Sequence, residues 1–224
     1  MCTVTFIPSH DGYLLAMNRD ERIDRGAALP PARFQCGKIT AIYPRDVDGG
    51  TWIAANQLGV AFALLNWNDV APLTHKRQSR GFVIPALLRC HSSVEVQRLI
   101  GTLKLDGVLP FRLIGIWPES KTVNEYRWDS RQLTTEAKTW KPQHWFSSSL
   151  SDEKAAEKHG AACRITWHDS DAGSLAWTRQ LHRSHDASTG AFSICVHRQE
   201  VHNFHWAIGD SAICDHALNV SFFE

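Results

Sequence analysis

The chain has 224 residues, of which 43% are hydrophobic and 21% charged, and its formal net charge is +1. These values are typical of a soluble globular protein, and so small a charge gives no basic surface for general nucleic-acid binding. No stretch is apolar for long enough to span a bilayer, and no secretory signal is visible at the N-terminus. We therefore expect one cytoplasmic domain over residues 1–224, without a membrane span, and leave open whether it forms a homo-oligomer.

The first predicted element is a β-hairpin that includes the second residue of the chain. Residues 2–7 are rich in β-branched and aromatic types, residues 8–12 form a turn signal, and residues 13–18 return as an apolar strand. Two registers fit this turn: paired residue numbers sum to 21 in one and to 23 in the other. Both registers place Cys2 opposite a residue between Arg19 and Glu21.

The other predicted elements fall into separate blocks of strands and helices. Strands are predicted at 51–55, 60–65, 111–117, 122–128, 133–136, 191–197 and 201–206, and helices at 82–90, 93–103, 151–162 and 174–181. The run 60–65 is almost wholly hydrophobic, which indicates a strand that is covered on both faces. Segregated blocks of this kind favour antiparallel sheets covered by helices, an α+β fold.

Cys2 differs from the other five cysteines because it becomes the first residue if Met1 is removed. It would then carry both a thiol and a free α-amine. A model thiol titrates at about 8.5 and an α-amine at about 7.7–8.0, so near neutrality the amine can accept the thiol proton. Arg19 would favour the thiolate electrostatically, and Asp20 could accept hydrogen bonds from the α-ammonium. The alternative is that Cys2 is an ordinary buried residue of the first strand.

Other chemistries find little support in the sequence. None of the spacings among the twelve histidines matches a zinc finger or an H-E-x-x-H helix. The chain also lacks the G-x-S-x-G segment of serine hydrolases and the phosphate-binding G-x-x-x-x-G-K-[ST] loop. We therefore predict no metal and no cofactor.

Several short segments within residues 1–81 carry a family resemblance. They are Met1-Cys2-Thr3, Met17-Asn18-Arg19-Asp20-Glu21, Gly49-Gly50-Thr51-Trp52, Gly59-Val60 before Asn66, and Ser79-Arg80-Gly81. Together they resemble the NRDE family, also called the transport and Golgi organisation protein 2 family. That family is similar to the N-terminal-nucleophile hydrolases, particularly the cysteine branch with penicillin V acylases and bile salt hydrolases.

The resemblance implies both a fold and a set of catalytic roles. The fold is α+β, a four-layer αββα sandwich of two antiparallel sheets. In the cysteine branch an N-terminal Cys attacks an amide, with an Arg and an Asp on the neighbouring strand. By this likeness Cys2 is the nucleophile, Arg19 stabilises the thiolate and Asp20 orients the ammonium.

The resemblance also suggests groups that would hold the oxyanion. Asn66 follows the apolar strand 60–65 and could donate its side-chain N–H groups, although an Asn here could equally cap a turn. Relatives carry a Leu-Ser-Asn motif where this chain has Phe146-Ser147-Ser148. Ser148 therefore replaces a second amide donor with a hydroxyl.

Three further residues are predicted to support or flank the site. Asn18 would orient the local chain by hydrogen bonding, and Glu21 would pair with a neighbouring arginine. Arg198 could correspond to a distal arginine of the acylases, or it could be a solvent-facing charge at a strand end.

Two functions follow from these observations. The leading one is hydrolysis of a non-peptide amide, the acyl amide of a small molecule. The alternative is a non-catalytic carrier or binding protein for a hydrophobic ligand, haem or an acyl lipid, because eukaryotic relatives are associated with Golgi organisation. Nine tryptophans could line a pocket for such a ligand.

Overall fold

The computed structural model describes residues 2–21, 28–68, 70–71, 78–148, 150–158, 188–197, 200–208 and 216–219. They belong to two compact units, one formed by residues 1–27 and 141–224 and the other by residues 28–140. The helix predicted at 174–181 and the residues after 158 of the helix predicted at 151–162 lie outside the described residues.

Most of the described elements are strands. In chain order, the strands are β1 (Thr3–Pro8), β2 (Gly12–Glu21), β3 (Leu29–Cys36), β4 (Ile39–Arg45), β5 (Ile53–Asn56), β6 (Ala61–Asn66), β7 (Phe111–Trp117), β8 (Thr122–Trp128), β9 (Leu133–Lys138), β10 (Gln143–Phe146), β11 (Ser188–His197), β12 (Glu200–Ile208) and β13 (His216–Asn219). The helices are α1 (Val83–Leu87), α2 (Ser93–Ile100) and α3 (Asp152–Lys158).

The sheet of the first unit contains the predicted N-terminal hairpin. Its described strands follow the order β10-β1-β2-β11-β12-β13, and neighbouring strands are antiparallel. Thr3 pairs with Asn18, so paired numbers in the hairpin sum to 21, one of the two predicted registers. Strand β10 was not predicted, because four residues that end in a Trp-Phe pair give no periodic signal.

The sheet of the second unit is a meander in which the described strands β3 to β9 lie in chain order. The predicted hairpin of β5 and β6 and the predicted meander of β7, β8 and β9 are confirmed. The strands β3 and β4 were missed. Most of β3 is exposed and it contains Pro30 and Pro31, which makes it an edge strand without an apolar alternation.

Helices α1 and α2 cover one face of this second sheet. The core between them includes Phe62, Leu64, Ile84, Leu87 and Leu113, all buried. Helix α2 begins where the sequence predicts, with the Ser92 hydroxyl accepting a hydrogen bond from the Glu95 N–H at 3.3 Å. Its regular helix ends at Ile100, with Gly101 as the C-cap, before the predicted residue 103.

Gly50, in the loop before β5, makes a close backbone contact with Gly81. Gly50 and Gly81 cross so closely that a Cβ atom added to Gly81 would lie 2.7 Å from the Gly50 Cα. The Thr51 N–H donates to the Gly81 carbonyl at 3.1 Å, and the Gly50 N–H donates to Asp46 Oδ1 at 2.7 Å. These two segments therefore meet at a backbone crossing that is too close for a Cβ atom at either glycine.

Replacement of Gly81 by alanine should therefore destabilise the protein. We expect a loss of about 1–3 kcal/mol in the free energy of unfolding, because the new methyl meets backbone atoms that cannot move aside easily. The matched control is Gly101→Ala, whose Cβ would lie an ordinary 3.5 Å from the Gln97 carbonyl oxygen. Denaturant unfolding measures both variants, and an equal effect of the two would contradict the crossing as the cause.

Candidate active site at the start of the first strand

Cys2 lies just before β1, between two neighbouring strands of the first sheet. The register of β1 with β2, continued by one residue beyond the Thr3–Asn18 pair, sets Cys2 opposite Arg19. The register with β10, continued in the same way, sets Cys2 opposite Ser147. Gly190 of β11 pairs with Arg19 on its other side. We call these four residues, Ser147, Cys2, Arg19 and Gly190, the Cys2 row.

Directly opposed residues of an antiparallel sheet point to the same face, so the side chains of Ser147, Cys2 and Arg19 share one face. Cys2 and Arg19 are half-buried, whereas Ser147 is 3% exposed. The row therefore brings a thiol, a guanidinium and a hydroxyl together at one end of the sheet.

Two hydrogen bonds fix Cys2 to the segment that follows β10. The Cys2 backbone nitrogen donates to Ser147 Oγ at 2.8 Å. The Ser147 N–H donates in return to the Cys2 carbonyl oxygen at 3.0 Å. Ser147 was not predicted as a site residue, although the serine of the Leu-Ser-Asn motif was the signal that could have identified it.

The next residues on the same face are apolar and fully covered. Val4 pairs with Met17 on β2 and with Trp145 on β10, and all three are at most 2% exposed. Water is therefore excluded from one side of the Cys2 row. Charges at the edge of such a surface interact more strongly than they do in bulk water, which favours an attraction between Arg19 and a thiolate at Cys2.

The other predicted residues of β2 occupy neighbouring positions. Asn18 is 1% exposed and pairs with Thr3, so it alternates with Arg19 and faces the opposite side of the sheet. The backbones of Asp20 and Glu21 continue β2, where they pair with Thr189 and Ser188 of β11. Asp20 is thus the next residue along the strand from the position opposite Cys2.

Ser148 follows Ser147 but makes a different set of contacts. Its hydroxyl donates to the Leu150 carbonyl oxygen at 3.1 Å and accepts from the Leu150 N–H at 3.1 Å. These bonds close a small turn before α3. An oxyanion role for Ser148 would require its hydroxyl proton to leave this turn, and the role remains a prediction.

The two remaining predicted residues are not part of the Cys2 row. Asn66 belongs to the second unit, where it ends β6 opposite Phe111 and has an exposed side chain. Arg198 lies outside the described residues. Both assignments therefore remain predictions.

A buried charge cluster in the second unit was not predicted from the sequence. The carboxylate of Glu125 is fully buried and contacts Arg112 Nε at 2.6 Å, Arg127 Nε at 2.8 Å and Lys138 Nζ at 3.2 Å. Burial alone would raise the pKa of Glu125, but the hydrogen bonds and charges of Arg127 and Arg112 outweigh it and lower the pKa to about 2. Glu125 is therefore ionised throughout the neutral range.

The described part of the chain has neither a candidate metal site nor a candidate membrane-spanning helix. Within it, no group of three or more His, Cys, Asp or Glu side chains is arranged to hold a metal ion. Of the helices in these described ranges, none is both long and apolar enough to cross a membrane.

A comparison with solved structures bears on the fold of this chain. Among solved structures, the chain is similar to penicillin V acylase from Agrobacterium tumefaciens, with a TM-score of 0.61 at 11% sequence identity. The similarity covers 97% of this chain and 84% of that chain. The comparison with curated proteins found no match. Together with the two observed antiparallel sheets, this similarity confirms the predicted α+β class.

The comparison with family models agrees with the short segments found in the sequence. A family model described as Transport and Golgi organisation 2 matches residues 1–202. The match contains β1 and β2, the Gly50–Gly81 crossing and Ser147. This chain therefore belongs to the Transport and Golgi organisation 2 family.

Proposed function

We propose that this protein is an N-terminal-nucleophile hydrolase that cleaves a non-peptide amide, with Cys2 as the nucleophile once Met1 is removed. The observation that carries the proposal is the Cys2 row, in which a half-buried thiol lies opposite Arg19 at the start of a strand. The relationship to a hydrolase fold supports the reaction class, while the choice of Cys2 rests on the row itself.

The reaction would proceed in two balanced steps. The α-amine of Cys2 takes the thiol proton, and the thiolate attacks the amide carbonyl to give a tetrahedral oxyanion. The C–N bond breaks as the ammonium returns the proton to the leaving amine, which leaves an acyl thioester on Cys2. Water, deprotonated by the same α-amine, then hydrolyses the thioester and restores the thiol.

The proposal gives the surrounding charges distinct roles. Arg19 favours the thiolate over the thiol, and Asp20 accepts a hydrogen bond from the ammonium. A backbone N–H donates to the oxyanion, because charge that develops in the transition state needs a donor already in position. Asn18 and Glu21 hold the strand around these groups, and Arg198 binds the substrate.

The labelling rate of Cys2 tests the proposal without knowledge of the substrate. After intact-mass measurement confirms that Met1 is absent, limiting iodoacetamide at pH 7 should label Cys2 before the other five cysteines. The internal control is Cys36, which is also half-buried and whose thiol pKa is raised by burial.

Two results would count against the hydrolase. Retention of Met1 would leave no α-amine to act as the base, and labelling of Cys2 no faster than Cys36 would show an unactivated thiol. Saturable binding of haem or an acyl lipid that is unaffected by Cys2→Ala would then favour the carrier function.

A further inference from the structure

Ser147 holds the nitrogen atom that the proposed mechanism uses as its base. Its hydroxyl oxygen accepts from the Cys2 nitrogen at 2.8 Å, and the side chain is 3% exposed. Water therefore competes little for this hydrogen bond. The contact joins residues 145 positions apart, so it depends on the pairing of β10 with β1 and not on local sequence.

A free α-amine needs such a contact because it can rotate about its N–Cα bond. Its lone pair has three staggered positions, and only those near the sulfur atom allow proton transfer from the thiol. An acceptor at a fixed position takes one N–H and reduces the number of rotamers. Holding a catalytic group in its reactive orientation is among the larger contributions to rate enhancement.

The acceptor is itself held in place before the reaction. The Ser147 N–H donates to the Cys2 carbonyl oxygen at 3.0 Å, so both the main chain and the side chain of Ser147 contact Cys2. Because the structure already contains the bond from the Cys2 nitrogen, removal of Met1 leaves an amine whose acceptor needs no rearrangement. The nitrogen loses its peptide bond to Met1 and becomes a tetrahedral amine, which still has an N–H to donate to Ser147 Oγ.

We propose that Ser147 is a positioning residue that orients the α-amine of Cys2 and stabilises the ammonium formed when the thiol loses its proton. This inference rests on the proposed function, since it concerns the same amine. It adds an acceptor just after β10 to the one already assigned to Asp20 on β2. The amine is thus held from the segments on both sides of β1.

The test follows the pH dependence of Cys2 alkylation in the protein without Met1. In Ser147→Ala the ammonium loses an acceptor. The equilibrium between the neutral thiol–amine pair and the thiolate–ammonium pair therefore shifts towards the neutral pair. The alkylation rate at pH 7 should then fall about tenfold, and the profile should move to higher pH. Ser147→Thr keeps the hydroxyl and should restore most of the rate.

Thr5→Val is the matched structural control. The Thr5 hydroxyl is hydrogen-bonded to His144 Nδ1 at 3.0 Å, across the same pair of strands but on the opposite face. The valine variant removes a bond of similar kind without touching the Cys2 row, so its alkylation profile should match that of the wild type. Thermal melting of each variant shows how much stability is lost.

The outcomes separate this inference from the proposed function. An unactivated Cys2 in the wild-type protein overturns both. An activated wild-type Cys2 whose profile is unchanged in Ser147→Ala overturns the role of Ser147 alone. An equal shift of the alkylation profile in Ser147→Ala and Thr5→Val also overturns the role of Ser147. Weaker pairing of β1 with β10 would then be the cause of both shifts. A shift in Ser147→Ala that Ser147→Thr reverses supports the inference.

Discussion

Replacement of Cys2 by alanine is expected to abolish hydrolysis of any N-acyl amide that the protein cleaves. Removal of a nucleophile lowers kcat on the order of 10³- to 10⁶-fold, since orientation and oxyanion contacts alone give only residual catalysis. The α-amine would remain in the variant but would have no thiol to deprotonate. The measurement is release of the amine from a panel of N-acyl amides, followed by mass spectrometry.

Cys36→Ala is the matched control for this loss. Cys36 is also a half-buried free cysteine, but it ends β3 in the second unit and is outside the Cys2 row. The control should hydrolyse the same amides at the wild-type rate. Turnover by Cys2→Ala at the rate of the wild type would mean that another group performs the chemistry.

Replacement of Glu125 by glutamine is expected to lower the free energy of unfolding by about 3–5 kcal/mol. The change removes one charge from a buried cluster and leaves Arg112, whose side chain is only 7% exposed, without its ionised partner at 2.6 Å. Breaking one side of a buried ion pair costs this much because the remaining charge cannot regain its hydration. Denaturant unfolding at neutral pH measures the loss.

Glu136→Gln provides a control in the same cluster. Glu136 contacts Lys138 Nζ at 2.6 Å, but its side chain is 52% exposed. Water can replace that interaction, so we expect a change below about 1 kcal/mol. Equal losses in the free energy of unfolding for Glu125→Gln and Glu136→Gln would contradict burial as the cause of the large effect at Glu125.

The same cluster predicts a dependence of stability on acid. The pKa of Glu125 is lowered from 4.5 to about 2, so the folded state binds its proton less readily than the unfolded state. The contribution of ionised Glu125 to the free energy of unfolding is therefore complete above pH 4.5 and is lost as the pH falls towards 2. Glu125→Gln should lack this part of the acid dependence.

The N-terminal hairpin could be predicted from sequence because its information is local. The turn residues at 8–12 and the strands on both sides restrict the register to two choices, one of which the structure has. The strands β5 to β8 were found for the same reason, as each has an apolar run or a partial apolar alternation. The α+β class followed from the order of these elements.

The remaining features depend on contacts between distant segments. Ser147 reaches Cys2 only because the unpredicted strand β10 pairs with β1. The Glu125 cluster joins three strands, and neither charge spacing nor periodicity reveals which carboxylate is buried. The extent of the domain, 1–224, and the roles of Asp20, Asn66 and Arg198 remain predictions, since they depend on such contacts.

The most direct test of the central claim compares Cys2 alkylation in the protein with and without Met1. A methionine aminopeptidase inhibitor in the expression host gives the Met1 form, and intact mass identifies each form. We predict that the form without Met1 reacts at least about tenfold faster at pH 7, and that the two rates converge at high pH, where any thiol is ionised. Equal rates at pH 7 would contradict the α-amine of Cys2 as the base.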